Sequence, residues 1–202
     1  GPLGQGHTYA VGAAIAEKFL EARLGSTMMQ HKIYAYISDG GVQEEISQGA
    51  GRIAGLFKLN NLIMFYDANE IQLSTECDVV MRENTRMKYE SWGWNVLEIN
   101  GNDPDEIRAA LILANKEEQR PTLIIGHTVM AKGARKEDGS SYERSVKTHG
   151  APLGGGAYEN TVKNLGGDLN DPFVVFDDVK ELYEKRNAEL REVVKERHAA
   201  EA

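Results

Sequence analysis

The chain has 202 residues, 41% of them hydrophobic, which suffices for one domain with a sizeable buried core but not for two full domains. Its 23 basic and 31 acidic residues give a formal charge of −8, which argues against nucleic acid or an anionic membrane as a general partner. Cys77 is the single cysteine, which excludes an intramolecular disulfide, and no apolar run approaches the roughly 20 residues of a membrane span. We therefore expect a soluble, cytoplasmic protein.

The first elements in chain order are a glycine-rich loop, a helix and a strand. GPLGQG at 1–6 leads into apolar residues at three- and four-residue spacing, which predict a helix over 9–24. Residues 1–4 alone could be the remnant of a cleaved expression tag, but their continuity with this pattern favours a native loop. A short strand over 32–37 follows and ends at SDGG, residues 38–41.

The next elements alternate between helix and strand. Helices are predicted at 42–57 and 79–92, with another that opens at Asp103 and carries Pro104 in its first turn; strands are predicted at 61–67, 95–99 and 122–126. The run at 61–67 is apolar throughout its middle, as in a parallel strand covered on both faces. This order predicts the α/β class, with a doubly wound parallel sheet and helices on both faces.

The last third of the chain is predicted to be less regular. Residues 131–167 are rich in glycine and charge and predict long loops, whose length is typical of a functional region. Residues 177–202 predict one charged helix, more often solvated or domain-linking than a binding surface. We expect one domain over 1–175 and a C-terminal linking helix over 176–202.

Two polar side chains follow neighbouring strands. Asp39 comes after the first strand and Asn69 after the second, so a right-handed crossover brings them to the same edge of the sheet, where ligands of open α/β sheets bind. Carboxylate and carboxamide oxygens suit Mg²⁺ and match zinc poorly. Gly40 and Gly41 let the backbone approach phosphates, and the helix beginning there presents unpaired amides. An aspartate before glycines is, by itself, more often a turn than a metal site.

SDGG and the asparagine of YDAN, taken together, resemble the diphosphate motif of thiamine-dependent enzymes. The resemblance implies thiamine diphosphate and Mg²⁺, or Ca²⁺ or Mn²⁺ in its place. It also implies that Asp39, Asn69 and the backbone carbonyl of Ile71 hold the metal, with Gly40 beside the cofactor. GPLGQG at 1–6, YESWGWNV at 89–96 and HGAPLG at 149–154 narrow the resemblance to transketolases, over nearly the whole chain.

The transketolase resemblance implies further site residues. Gly1, Pro2 and Leu3 would contact the aminopyrimidine side of the cofactor. His149 would lie beside the thiazolium and the sugar, where it donates to the diphosphate and to the ketose, and where an imidazole can move protons at neutral pH. Met130 is either an apolar contact of the thiazolium or a core residue. Glu44 is either a partner of the helix dipole or a catalytic residue in a hydrogen-bonded link between two cofactor sites.

The sequence departs from the family pattern at several positions. Alanine stands at position 68 where many relatives have aspartate, and Glu70 and Ala131 stand where relatives often have glycine. His7 and Thr8 replace small or apolar residues, and no role is assigned to His7, His31, His127 or His198.

The activity implied by the resemblance is transfer of a two-carbon ketol unit from a ketose phosphate to an aldose phosphate, as in the pentose phosphate pathway. Relative to the family pattern, we expect the chain to be without the usual N-terminal part and the pyrimidine-binding domain, whose glutamate generates the reactive ylide, either because it is a split subunit or because it is a fragment of a longer polypeptide. We therefore expect no activity alone, and a homodimer or split assembly with that complementary domain or subunit. Two alternatives stay open: a non-catalytic cofactor-binding or assembly fragment, and another thiamine enzyme such as a deoxyxylulose phosphate synthase.

Overall fold

A four-stranded parallel sheet forms the centre of the molecule. The computed structural model describes residues 2–201. The strands lie in the order β1-β2-β4-β3, where β1 is Ile33–Ser38, β2 Leu62–Ala68, β3 Asn95–Asn100 and β4 Thr122–His127. The register pairs Ser38 with Asp67, so the carboxyl ends of β1 and β2 coincide. The predicted α/β class with a parallel sheet is confirmed.

Eight α-helices precede, connect or follow the strands in residues 2–201. They are α1 Gln5–Leu24, α2 Ser26–Met29, α3 Asp39–Gln43, α4 Glu45–Leu56, α5 Thr85–Ser91, α6 Pro104–Lys116, α7 Gly155–Asn164 and α8 Asp177–Glu201. None of these helices has the combination of length and hydrophobicity that spanning a membrane requires. Short 3₁₀ helices lie at Cys77–Val79 and Val146–Thr148.

The period of two along the strands divides the core between the two faces of the sheet. On one face, Met64 and Leu123 pack with Ala14 of α1 and Ala54 of α4. On the other face, Ile63 and Ile124 pack with alanines of α6, namely Ala110 and Ala114. Both central strands, β2 and β4, are thus buried on both sides, which explains their continuous apolar sequence. Helices on both faces are confirmed.

The YESWGWNV segment packs its aromatic side chains against α4. Rings of Tyr89 and Trp94 meet edge to face at 5.1 Å, and the Trp94 Nε1 donates to the Gly51 carbonyl at 2.8 Å. A Cβ at Gly55 would lie 1.9 Å from the Trp92 carbonyl oxygen, so only glycine admits this approach.

The sheet has two edge strands, of which β1 carries exposed aromatic side chains. Within residues 2–201, β1 pairs with β2 alone and β3 with β4 alone. Tyr34 and Tyr36 of β1 are exposed and lie on the face of the sheet that α6 covers. The Tyr34 hydroxyl donates to the Asn115 Oδ1 of α6 at 2.9 Å. The Tyr36 ring contacts the Phe65 ring of β2.

Several predicted boundaries are wrong. The helix expected over 42–57 is two helices, because the backbone is extended at Glu44 (ψ 129°). The helix expected from 79 begins at Thr85, where the Asn84 side chain caps it by accepting from the Met87 amide at 2.9 Å. The first helix begins at Gln5 rather than 9, directly after the left-handed Gly4.

The C-terminal third contains more helix than predicted. The segment expected to be loops over 131–167 includes α7, which begins directly after Gly154 in HGAPLG. A charged helix is found as predicted at Asp177–Glu201, and the last residue of that prediction, Ala202, lies outside the described residues. The Arg197 guanidinium of α8 donates to the Gln30 carbonyl at 3.3 Å, which ties this helix to the end of α2.

Candidate cofactor and metal site

Asp39 is a buried carboxylate at the point where β1 becomes α3. Its side chain is only 3% exposed and is held by donors from the end of β2. Oδ1 accepts from the Tyr66 hydroxyl at 2.6 Å, and Oδ2 accepts from the amides of Asn69 and Glu70, both at 3.1 Å. Burial raises the pKa of Asp39, and these donors oppose that rise. Asp39 and Asn69 therefore lie together.

The Asn69 side chain shapes the loop that follows β2. Its Nδ2 donates to Asp67 at 3.2 Å, and its Oδ1 accepts from the Ile71 amide at 3.0 Å, which closes an Asx turn. Within that turn Glu70 has a φ of 67°, the left-handed region that favours glycine. The backbone thus explains why glycine is expected at position 70. Ala131 has the same character, with a φ of 51°.

Two further groups beside Asp39, Tyr66 and Cys77, were not assigned from the sequence. Tyr66 lies on the same face of β2 as Ala68, a relation that the period of two along a strand could have revealed. The Cys77 thiol lines the same cleft as Asp39 and accepts from the Gln72 Nε2 at 3.5 Å; burial raises the pKa of this thiol to about 11, so it stays protonated. Because Cys77 is far from Asp39 in the sequence, no local pattern indicates that the two residues lie close together.

The donor chemistry at these strand ends fits a hard divalent cation. Asp39, Asn69 and the backbone of Ile71 can supply carboxylate, carboxamide and carbonyl oxygens, which are the ligands that Mg²⁺ prefers. Among residues 2–201, no group of three or more His, Cys, Asp or Glu side chains could hold a metal, so a cation here would depend on amide and carbonyl oxygens. A cleft of about 490 Å³ adjoins these residues and is also lined by Cys77 and Arg144.

The glycine-rich entry loop lies against the Asp39 turn. A Cβ at Gly40 would lie 3.3 Å from Cδ2 of Leu3, so glycine at this position lets the two segments meet. Pro2 and Leu3 are exposed, whereas Gly4 is buried with a φ of +80°. Gly1, also predicted to contact the cofactor, lies outside the described residues.

Glu44 occupies the extended residue between α3 and α4. Its side chain makes no capping hydrogen bond with α4, and the acidic residue in the first turn of that helix is Glu45. The Cβ of Glu44 lies close to the entry loop, 2.9 Å from the position that a Cβ at Gly4 would take. Glu44 thus borders the site without a hydrogen bond to Asp39 or Asn69.

His149 follows the second 3₁₀ helix and carries a buried ring nitrogen that lacks a hydrogen-bond partner among the described residues, Nδ1. Because buried polar atoms are normally paired, this nitrogen is suited to a ligand group. The next residue, Gly150, lies near Leu73 of the loop after β2, at 3.9 Å for a Cβ built there. Met130 is half-buried, and its carbonyl accepts from the Arg144 amide at 3.0 Å; its side chain makes no hydrogen bond with the Asp39 turn.

A parallel sheet with a buried carboxylate, a carboxamide and a glycine turn at its strand ends defines the class of open α/β domains that bind ligands at this edge. Comparison with known proteins makes the assignment specific. The family model described as transketolase, thiamine diphosphate binding domain, matches residues 1–201, and the chain belongs to this family.

Similar proteins are transketolases. The transketolase of Staphylococcus aureus strain MRSA252 is 37% identical over 188 residues, which cover 91% of this chain and 28% of that protein. The transketolase structure from Campylobacter jejuni is 40% identical with a TM-score of 0.84 and covers 96% of this chain and 31% of that one. A Pichia stipitis transketolase in complex with sedoheptulose-7-phosphate is 28% identical with a TM-score of 0.90 over 99% of this chain and 29% of that one. The chain thus spans less than a third of the length of these relatives.

Proposed function

We propose that this chain supplies the diphosphate-binding part of a transketolase that moves a two-carbon ketol unit between sugar phosphates, using thiamine diphosphate and Mg²⁺. The observation that carries the proposal is the junction of Asp39 and Asn69 at the strand ends, next to the Gly40 turn. The Pichia stipitis relative in complex with sedoheptulose-7-phosphate supports a sugar phosphate as substrate. The ketose-to-aldose direction of the pentose phosphate pathway and a cytoplasmic location belong to the same proposal.

The proposed metal ligands are Asp39, Asn69 and the backbone carbonyl of Ile71, with Mg²⁺ replaceable by Ca²⁺ or Mn²⁺. The buried position of Asp39 supports this role, because an ionised carboxylate with little solvent gains from a nearby cation. Gly40 and the start of α3 would lie beside the diphosphate, where the free amides at the helix start favour negative charge.

The proposed catalytic group of this chain is His149. When bound, thiamine diphosphate supplies the electron sink that cleavage next to a ketose carbonyl requires. The Nδ1 of His149, which has no hydrogen-bond partner in residues 2–201, would bond the diphosphate or the sugar, and the ring would move protons at a substrate hydroxyl. Gly1, Pro2, Leu3 and Met130 would form the apolar side of the site.

The proposed partners are a pyrimidine-binding domain or subunit and a second copy of the assembly. Support comes from large apolar side chains left exposed on α1, on α4 and directly after α4: Tyr9, Phe19, Ile53, Leu56 (74% exposed) and Phe57. Exposed large apolar side chains on two helices that pack against each other are typical of an interface. Glu44, directly before α4, would then lie in the interface as the proposed link between cofactor sites. We keep the division into a domain over 1–175 and a linking helix over 176–202.

Calorimetric titration with Mg²⁺ and thiamine diphosphate tests the cofactor part of the proposal. Asp39→Asn should abolish metal-dependent binding, because it replaces the only carboxylate of the proposed ligand set. Glu70→Gln is the matched control, since this neighbouring carboxylate is exposed and outside the set. Equal affinity of wild type and Asp39→Asn would refute the site.

Reconstitution with the pyrimidine-binding domain of a transketolase relative tests the activity. We expect ketol transfer from a ketose phosphate to an aldose phosphate that depends on His149. Cofactor binding without any turnover would instead favour a non-catalytic binding or assembly fragment, and decarboxylation of pyruvate would favour another thiamine enzyme.

A further inference from the structure

His7 is a buried polar residue with bonds to two other elements. It lies in the first turns of α1 and is 6% exposed. Its Nδ1 is 2.5 Å from the Ser47 Oγ of α4, and its Nε2 is 3.3 Å from the Tyr36 carbonyl oxygen of β1. Because a carbonyl only accepts, Nε2 carries the proton and donates, and Nδ1 accepts from the Ser47 hydroxyl. Burial lowers the pKa of His7, consistent with this neutral form.

The His7 ring also packs beneath the proposed diphosphate turn. A Cβ at Gly41 would lie 3.3 Å from the Cε1 of His7 and 3.2 Å from the Oγ of Ser38. The Ser38 Oγ in turn accepts from the Gly41 amide at 3.2 Å. One side of the turn is thus held by its own strand end, and the other side rests on the imidazole.

The three segments that His7 joins all border the proposed site. Tyr36 precedes Asp39 by three residues, Ser47 follows Glu44 by three, and His7 itself follows Gly4 by three. An apolar side chain of similar volume would fill the same space, but it would not fix how α1 is rotated against β1 and α4, since dispersion contacts are not directional.

We infer that His7 is a positioning residue for the proposed cofactor site, which holds the entry loop and the Gly40–Gly41 turn in their binding geometry through Ser47 and the Tyr36 carbonyl. This inference rests on the proposed function. A residue of this kind acts on affinity through the fraction of molecules whose turn is competent to bind, since apparent affinity falls in proportion to that fraction.

Three variants test the inference by calorimetry with Mg²⁺ and thiamine diphosphate. His7→Leu removes both bonds, Ser47→Ala removes one, and His7→Asn keeps a carboxamide that can accept from Ser47. We expect His7→Leu and Ser47→Ala each to weaken affinity about five- to tenfold. The variant that combines His7→Leu with Ser47→Ala should bind the cofactor no more weakly than His7→Leu alone, as for residues that act as one unit. His7→Asn should recover part of the lost affinity.

Two controls separate positioning from general loss of stability. Ile124→Val lowers the stability of the opposite core face. Thr8→Val removes a hydroxyl from the same part of α1, where the Thr8 Oγ1 donates to the Gln5 carbonyl at 2.7 Å. Both should bind cofactor as wild type does. If Ile124→Val weakens binding as much as His7→Leu does, the effect follows stability and the inference is wrong.

Amide hydrogen exchange without cofactor gives a second readout. His7→Leu should accelerate exchange of the Gly41 amide while leaving the Met64 amide in β2 unchanged. Unchanged exchange at Gly41, or wild-type affinity in His7→Leu, would overturn the inference and leave the proposed function intact. A wild-type chain that binds no cofactor would overturn the proposed function itself, and the inference with it.

Discussion

The left-handed glycine before α1 allows a direct test of how the entry loop is built. We expect Gly4→Ala to destabilise the chain and weaken cofactor binding, whereas Gly6→Ala, two residues further on, should do neither. A Cβ at Gly4 would lie 2.8 Å from both Cγ2 of Ile46 and Oγ of Ser47, and 2.9 Å from Cβ of Glu44. A Cβ at Gly6 would meet nothing within 4 Å.

Two costs add at Gly4. An L-residue in the left-handed region costs about 1–2 kcal/mol. Overpacking costs about 1–3 kcal/mol, because Ile46 is stiff about χ1 and the Glu44 Cβ cannot move without its backbone. The free energy of unfolding should thus fall by about 2–5 kcal/mol. At Gly6, inside the helix, alanine should instead raise it by up to about 1 kcal/mol.

Urea unfolding measures the stability change, and calorimetry at a temperature where both variants are folded measures binding. The loop can relieve part of this steric cost by moving away from the Asp39 turn. If the relief is about 1.4 kcal/mol, binding has to restore the original loop position at that cost, and cofactor affinity falls about tenfold. A Gly4→Ala variant within about 0.5 kcal/mol of wild type would refute the described loop packing. A destabilised variant with wild-type affinity would instead remove the entry loop from the cofactor site.

Three further outcomes follow from the same contacts. The free energy of unfolding of Glu70→Gly should be about 1 kcal/mol higher than that of Glu70→Ala, because glycine suits the φ of 67° better than alanine does. Both variants lose the exposed ion pair with Arg144, so this loss cancels in the comparison. Equal urea midpoints would contradict the prediction. Tyr66→Phe should lower the free energy of unfolding by about 1–3 kcal/mol, because it removes the donor to buried Asp39, and unchanged stability would show that this hydroxyl is dispensable. Because the pKa of His7 is lowered on folding, the unfolded chain binds this proton more tightly than the folded chain, and the free energy of unfolding should fall as the pH falls below 6.5. His7→Asn should flatten this pH dependence of stability. A wild-type slope in the variant would exclude His7 as the source of the pH dependence.

The sheet and the meeting of its strand ends were predictable from local patterns. The apolar run of β2 implied a strand covered on both faces, and parallel order then required Asp39 and Asn69 to share one edge. Polar residues directly after apolar strands are visible in any single sequence, so this part needed only the rules of chain connection.

The remainder depended on contacts between segments that are distant in the chain. The helix α7 was missed because its start, GGAY, is rich in glycine, which has low helix propensity. The break at Glu44 lies within a continuous helical spacing and becomes visible only once Gly4 is packed against α4. His7 was assigned no role because its partners, Ser47 and Tyr36, are 40 and 29 residues away.

The unpaired side of β1 affects how this chain behaves in the test tube. Within residues 2–201 no strand pairs with the outer edge of β1, although its Tyr36 carbonyl accepts from His7; this edge, flanked by Tyr34 and by Tyr36 at 82% exposure, is a template on which another strand can add. At high protein concentration, we therefore expect molecules to associate through the outer edge of β1. A companion polypeptide that lays a strand along it would improve yield and shelf life whether or not it contributes to chemistry.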